Sequence, residues 1–254
     1  MKSSFLKIAL GTALVTGAAP AFANLIYVNG AQTPGTGLGN VLTVVTVRDN
    51  GAGPRRNGLE SGCVTHTAGG NPARPTETCQ LGLEGGDNTA GNAGNNTYFL
   101  NDIDGLTNAG ELGFVVNVSE PGSDTATLTD LYLSLFNTVS NTLTTFSYEG
   151  MDMVLGNDTG GIGQSGIHRF IFDNAQAAQA LSFCPVLSQC IVGGGVQFAL
   201  GTTQGTPETV YVGAFERDDA GNPGGEVPEP GSLALLGAGM MAFGFMRRRH
   251  AGKR

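Results

Sequence analysis

Residues 112–136 read LGFVVNVSEPGSDTATLTDLYLSLF and contain the clearest structural pattern of the chain. Leu112, Phe114, Val116 and Val118 occur at every second position, which predicts a β-strand with these apolar side chains on one face. The residues Glu120-Pro121-Gly122 then predict a turn. From Thr127 to Phe136 apolar groups occur at both odd and even positions. This second strand is therefore expected inside a sheet, covered on both of its faces.

The flanking sequence has the same character on both sides of this pair. Short runs rich in β-branched and aromatic residues alternate with Gly, Asn, Asp and Pro clusters, which is typical of all-β proteins. Further strands are predicted at residues 41–47, 62–67, 78–83, 98–103, 142–148, 167–172, 192–200 and 209–215. Residues 174–181 are the only stretch predicted to be helical, and the glycine-rich residues 85–96 are predicted to be a surface loop. We expect one all-β domain over residues 24–215, a β-sandwich or jelly-roll-like fold.

The N-terminus has the features of a secretory signal peptide. Lys2 and Lys7 form a basic region, residues 8–15 are apolar, and Ala21-Phe22-Ala23 matches an A-x-A cleavage site. Residues 1–23 are therefore predicted to be removed on export, with Asn24 as the first mature residue. The alternative is an amphipathic helix that belongs to the folded domain.

The C-terminus contains a candidate membrane segment. Residues 231–246 carry no charge, and Arg247, Arg248 and Arg249 follow directly. The run is shorter than the roughly 20 residues of a full crossing, but bilayer thinning and snorkelling arginines can accommodate a short helix. The positive-inside rule places the arginines in the cytoplasm and the preceding domain outside. The alternative is a buried apolar helix of a soluble domain.

Pro228, Glu229 and Pro230 lie directly before this segment. Two prolines remove two backbone donors and favour extended structure, which a processing enzyme can bind without unfolding a helix. The order of these residues, a glycine, an apolar run and three arginines resembles the PEP-CTERM sorting signal of Gram-negative bacteria. The same type of tail is also named the ice-binding protein C-terminal domain. That name refers to the tail alone.

The resemblance implies a processing pathway. In that family an exosortase, an integral-membrane cysteine transpeptidase, is thought to recognise the Pro-Glu-Pro motif. Residues 228–254 would then be the sorting signal, with Pro228, Glu229 and Pro230 as its motif and Arg247, Arg248 and Arg249 as its membrane stop. The polar residues 216–227 are predicted to be a flexible linker between the domain and this signal.

The charge of the central domain limits its partners. Seven of the 13 Lys and Arg residues lie in the terminal segments, whereas only Glu229 of the 21 acidic residues does. Residues 24–226 therefore carry 6 − 20 = −14 charges and no lysine. A surface of this sign repels nucleic acid and anionic membrane. It is compatible with binding divalent cations or with solubility alone.

Four cysteines, Cys63, Cys79, Cys184 and Cys190, lie in the part predicted to be exported. An even count in an oxidising compartment favours disulfides, and three connectivities are possible. We favour the local pairs Cys63–Cys79 and Cys184–Cys190, because each pair lies within one loop region rich in Gly or Pro. The rival interpretation is a metal site of Cys63, His66 and Cys79, whose spacing matches no zinc pattern.

Two further motifs suggest chemistry. Asp102, Asp104, Gly105 and Asn108 resemble part of a calcium loop, although Leu100 stands where a first ligand belongs and no Glu closes the loop. An ordinary Asp-Gly turn is the competing interpretation. Gly163-Gln164-Ser165-Gly166, near His168, resembles a serine-hydrolase elbow, but Ile167 replaces the required glycine. We therefore expect a tight turn there, no enzymatic activity, and no cofactor beyond a structural calcium ion.

These observations predict an exported protein that is held transiently in the inner membrane with its domain in the periplasm. After exosortase processing it would reach the cell surface or be secreted. Its expected role is structural or binding, in the envelope or in extracellular polysaccharide. One alternative is a carbohydrate-binding module, which the absence of Trp disfavours. The other alternative is a secreted hydrolase.

Overall fold

The two longest strands of the molecule pair with each other at the centre of one sheet. The computed structural model describes residues 24–28, 42–48, 59–67, 76–89, 95–119, 125–156, 167–203, 207–215 and 217. The strands are β1 Leu25–Val28, β2 Leu42–Val47, β3 Ser61–Val64, β4 Tyr98–Phe99, β5 Leu112–Asn117, β6 Thr125–Asn137, β7 Thr142–Ser147, β8 Met153–Gly156, β9 Ile167–Phe172, β10 Cys190–Phe198 and β11 Glu208–Ala214. The helices are α1 Asn174–Phe183 and the 3-10 helices Leu100–Asp102, Ala109–Glu111 and Leu187–Gln189.

Two antiparallel sheets enclose one core. The first has the order β1-β9-β5-β11-β2, and the second has the order β3-β10-β6-β7. In the second sheet β4 continues the β3 edge of β10, and β8 continues the β7 edge of β6. Phe114 and Phe170 of the first sheet share a buried cluster with Leu133 and Val196 of the second. The predicted all-β fold is confirmed, and the shared core makes it a sandwich.

Strand β6 lies in the sheet interior, as its composition predicts, but its faces do not alternate regularly. Gln197 pairs with Asp130, whereas the next residue, Phe198, pairs with Leu128, so Thr129 is the extra residue of a β-bulge. Leu128 and Leu131 therefore both face the core. The bulge therefore interrupts the alternation of faces between Thr127 and Leu131.

Three consecutive glycines in β10 allow side chains to pack closely against both faces of this strand. A Cβ atom on Gly194 would lie 2.5 Å from Cζ of Phe114, a core residue of the other sheet. A Cβ atom on Gly195, on the opposite face, would lie 2.5 Å from Cε1 of Tyr132. Both aromatic rings are fully buried. The glycines therefore provide space for rings rather than a flexible break in the strand.

Residues 78–83 do not form the predicted strand. Thr76 makes a single bridge to Thr65, and the chain then continues in irregular structure. The predicted strand at 98–103 ends at Phe99, because the chain enters the 3-10 helix Leu100–Asp102 and then a turn at Gly105 with φ of 77°.

Residues 85–89 are not a bare surface loop either. Asp87 Oδ2 accepts a hydrogen bond from the Ser61 amide at 3.1 Å. Asn88 Oδ1 accepts one from the Cys63 amide at 3.1 Å, and its Nδ2 donates to the Cys63 carbonyl at 2.8 Å. These two side chains therefore replace a neighbouring strand along the free edge of β3, where unpaired backbone groups would otherwise invite association.

Candidate functional site

Arg217 fixes the point at which the chain leaves the β domain toward its C-terminus. Its Nη1 donates to the Phe172 carbonyl at 2.9 Å and to the Gly110 carbonyl at 3.4 Å. Its Nη2 donates to Oδ1 of Asn174, the first residue of α1, at 2.6 Å. One guanidinium thus joins the end of β9, the start of α1 and the 3-10 helix before β5. Arg217 was not identified from the sequence. Its only distinguishing feature there is that it is a single arginine within an acidic stretch.

Both favoured disulfides are present. Cys63 and Cys79 are joined with a Cα–Cα distance of 5.4 Å, and Cys184 and Cys190 with one of 6.0 Å. The rival metal site of Cys63, His66 and Cys79 is therefore wrong, because both sulfur atoms are bonded to each other. The first disulfide packs with Leu83 against Tyr132, whose hydroxyl accepts a hydrogen bond from the Gln80 amide at 3.1 Å.

His66 is buried at the end of β3 without a hydrogen-bond partner for Nδ1. Its ring meets Phe136 edge to face, with 4.8 Å between the ring centroids. Burial lowers the pKa of His66, because removal from water penalises the charged imidazolium. The side chain is therefore a neutral packing group in the folded domain.

We expect the domain to lose stability in mild acid through His66. The unfolded state protonates a histidine at a pKa of about 6.5, above the folded value, so the unfolded state binds more protons as the pH falls. The loss therefore begins as the pH drops through about 6.5 and is complete below the lower folded pKa. Urea midpoints at about pH 7.5 and about pH 5 would fall less in His66→Phe than in the wild type. An equal fall in both proteins would contradict this assignment.

His168, which lies near the segment that resembles a serine-hydrolase elbow, is already engaged in structural contacts. His168 makes a contact of 2.8 Å from Nε2 to the Gly156 carbonyl and one of 3.1 Å from Nδ1 to the Tyr27 hydroxyl. Ser165, its proposed nucleophile partner, lies outside the described residues. Both histidine nitrogens are thus committed to structural contacts.

Asp130 lies near two other carboxylates, which belong to the segment between β7 and β8. Burial first, and then the negative charges of Asp152 and Glu149, raise the pKa of Asp130. Its carboxylate also lies 3.5 Å from the amide nitrogen of Gln197. A hydrolase of this kind would need two convergent carboxylates. Whether such a pair can act depends on the distance between the two carboxylates across the bound substrate. The absence of enzymatic activity stays a prediction.

The calcium candidates lie in two separate turns. Asp102 ends a 3-10 helix and Asp104 precedes Gly105 in the following turn. Asn108 caps the next 3-10 helix: its Oδ1 accepts from the Gly110 amide at 3.0 Å, and its Nδ2 donates to Glu111 at 2.7 Å. Among the described residues, no group of three or more His, Cys, Asp or Glu side chains is arranged to hold a metal. The calcium site stays a prediction, testable by a melting-temperature titration with calcium.

The aromatic side chains of the described residues are buried or partly buried, the partly buried ones being Tyr27, Tyr98, Phe99, Tyr148 and Phe183. The exposed large apolar side chains in these ranges are all aliphatic: Leu81, Val139, Met151, Val154, Leu181, Val186 and Leu200. A sugar-binding platform usually presents flat aromatic rings, because their faces pack on the sugar. Carbohydrate binding thus gains no support from this part of the chain.

The predicted terminal signals lie outside the described residues. These are the signal peptide at 1–23, Pro228, Glu229 and Pro230, the apolar segment at 231–246, and Arg247, Arg248 and Arg249. Within the described ranges, no helix combines the length and the apolar character that crossing a bilayer requires.

Comparison with known proteins identifies the C-terminal segment. The family model of the PEP-CTERM protein-sorting motif matches residues 226–249. This range contains Pro228-Glu229-Pro230, the apolar run and all three arginines. No curated protein and no solved structure matches the chain. The resemblance noted in the sequence is confirmed for this segment.

Proposed function

We propose that this chain, which carries a PEP-CTERM protein-sorting motif at residues 226–249, is an exported protein processed by an exosortase at that motif. Its apolar segment would hold it in the inner membrane, with the β domain in the periplasm, until processing. The mature domain would then serve in the cell envelope or in extracellular polysaccharide as a structural or binding component. The observation that carries this proposal is the match of the family model to the terminal residues.

The layout of the chain supports access of a membrane enzyme to the motif. The domain ends at Arg217, and ten residues, 218–227, separate it from Pro228. A chain of this length spans at most about 35 Å when fully extended. The enzyme could therefore bind the motif near the membrane surface without opening the sandwich.

The β domain itself suits an oxidising compartment. All four cysteines form disulfides. Disulfides of this kind persist outside the cytoplasm and are rare within it. These features support export, which the sorting motif requires.

Replacement of Pro228, Glu229 and Pro230 by alanine is expected to block C-terminal processing in an exosortase-containing host. The variant should accumulate in the inner membrane at its unprocessed mass, because alanines permit helix where the prolines enforce an extended segment. Mass spectrometry of both ends of the protein from intact cells would measure this. Pro223→Ala, in the preceding linker, is the matched control and should be processed normally. Normal processing of the triple variant would refute the proposal.

A further inference from the structure

Three exposed apolar side chains lie on neighbouring segments at the end of the sandwich where α1 ends and β10 starts. Val139, Leu181 and Val186 are 70%, 43% and 45% exposed. We call these three residues the apolar end. The β6–β7 turn and the loop that follows α1 are joined by hydrogen bonds from the Thr138 amide to the Gln189 carbonyl and from Asn137 Nδ2 to the Phe183 carbonyl, both at 2.8 Å.

The loop that presents Val186 is held by a disulfide. Val186 lies within the six-residue span of the Cys184–Cys190 disulfide. A disulfide across so short a span restricts the conformations of the loop. The exposed valine is thus a fixed feature of the surface rather than the tip of a long loop.

Two residues of the apolar end, Leu181 and Val186, lie in the longest uncharged stretch of the domain. Residues 174–207 contain no Asp, Glu, Lys, Arg or His, although the domain carries −14 charges overall. The exposed Asp102 and Asp104 lie in and just after the 3-10 helix Leu100–Asp102, which packs against Leu187–Gln189.

The chain leaves the domain next to this surface. The Gly110 carbonyl accepts a hydrogen bond from Arg217, and a Cβ atom on the same glycine would lie 3.2 Å from Cδ1 of Leu181. Gly110 therefore lies next to both Arg217, where the chain leaves the domain, and Leu181 of the apolar end. After Arg217, 37 residues remain, and they include the whole sorting motif.

We propose that the apolar end rests on the lipid bilayer that holds the C-terminal segment before processing. This inference depends on the proposed function, because the segment must first anchor the chain. Anionic headgroups repel a domain of −14 charges, so the domain can approach the bilayer closely only through an uncharged surface. The thirteen residues 218–230 form a tether of at most about 45 Å, which keeps that surface at high local concentration near the lipid, so a weak apolar contact suffices.

The absence of tryptophan from the sequence allows a direct test. Val186→Trp and Val139→Trp each introduce a single reporter at the apolar end. Leu200→Trp, at a side chain 57% exposed beyond the other end of β10, is the matched control. The proteins are purified from membranes of a host without an exosortase and reconstituted in phosphatidylethanolamine–phosphatidylglycerol vesicles. Flotation measures anchoring, and quenching by bromine-labelled lipids measures contact of each tryptophan with the bilayer.

We expect all three variants to float with the vesicles. We also expect the tryptophans at positions 139 and 186 to be quenched several-fold more strongly than the control at position 200. Flotation with equal, weak quenching at all three positions would overturn the docking proposal and leave anchoring intact. Failure to float would refute the anchoring itself, and the docking proposal with it. Shielding of the apolar-end tryptophans only in membranes that contain an exosortase would assign this surface to a protein partner and overturn the lipid assignment.

Discussion

Gly194→Ala is expected to lower the free energy of unfolding by about 1–3 kcal/mol, the usual cost of an extra methyl group in a closely packed core. The added Cβ atom would lie 2.5 Å from Cζ and 2.6 Å from Cε2 of Phe114. It would also lie 2.6 Å from the Tyr132 carbonyl oxygen, which belongs to the backbone of β6 and cannot rotate away. Relief therefore requires the Phe114 ring to move and β10 to shift relative to β6.

A double-mutant cycle separates this crowding from a general effect of alanine in a strand. Phe114→Leu alone should destabilise the domain by leaving a cavity, but it should reduce the cost of Gly194→Ala, because the smaller side chain frees space for the new methyl group. Gly213→Ala is the control in β11, where the nearest atom to a new Cβ is 3.6 Å away. Urea denaturation would measure all four variants. Strict additivity, or an equal loss in Gly213→Ala, would contradict the steric argument.

The sequence predicts the presence of most strands but not the features that join them into a sandwich. Alternation and turn residues suffice to find β5, β7, β9 and β11. The bulge at Thr129 escapes such reasoning, because it is defined by the register of β10 against β6 rather than by the composition of either strand. The consecutive glycines of β10 can be explained only once Phe114 and Tyr132 are known to pack against them.

The same distinction applies to the functional residues. The cysteine pairs and the sorting motif are local in sequence, so spacing and order are sufficient to predict them. The contacts of Arg217 with Phe172, Gly110 and Asn174 join segments 43 to 107 residues apart. No sequence pattern encodes such a contact. The apolar end likewise depends on the β6–β7 turn lying beside the loop after α1.

Replacement of Cys63 and Cys79 by alanine is expected to lower the free energy of unfolding by about 3 kcal/mol, because the disulfide closes a loop of this length in the unfolded chain. The folded state also depends on it. The bond holds residues 76–89 against the sheet, where the Gln80 amide donates to the Tyr132 hydroxyl and Asn88 pairs with the Cys63 backbone. The loss should therefore exceed that caused by alanines at Cys184 and Cys190, whose shorter loop predicts about 2 kcal/mol.

Loss of the Cys63–Cys79 disulfide should also open the edge of β3 to solvent. The Ser61 and residue-63 amides donate to Asp87 and Asn88, so they should exchange with solvent faster once residues 76–89 are released. In the variant without Cys184 and Cys190 these two amides should keep their protection, and that variant is the matched control. Denaturant unfolding combined with hydrogen exchange would measure both effects. Unchanged protection at the β3 edge, or a larger loss on removing the second disulfide, would show that the first disulfide does not hold this segment in place.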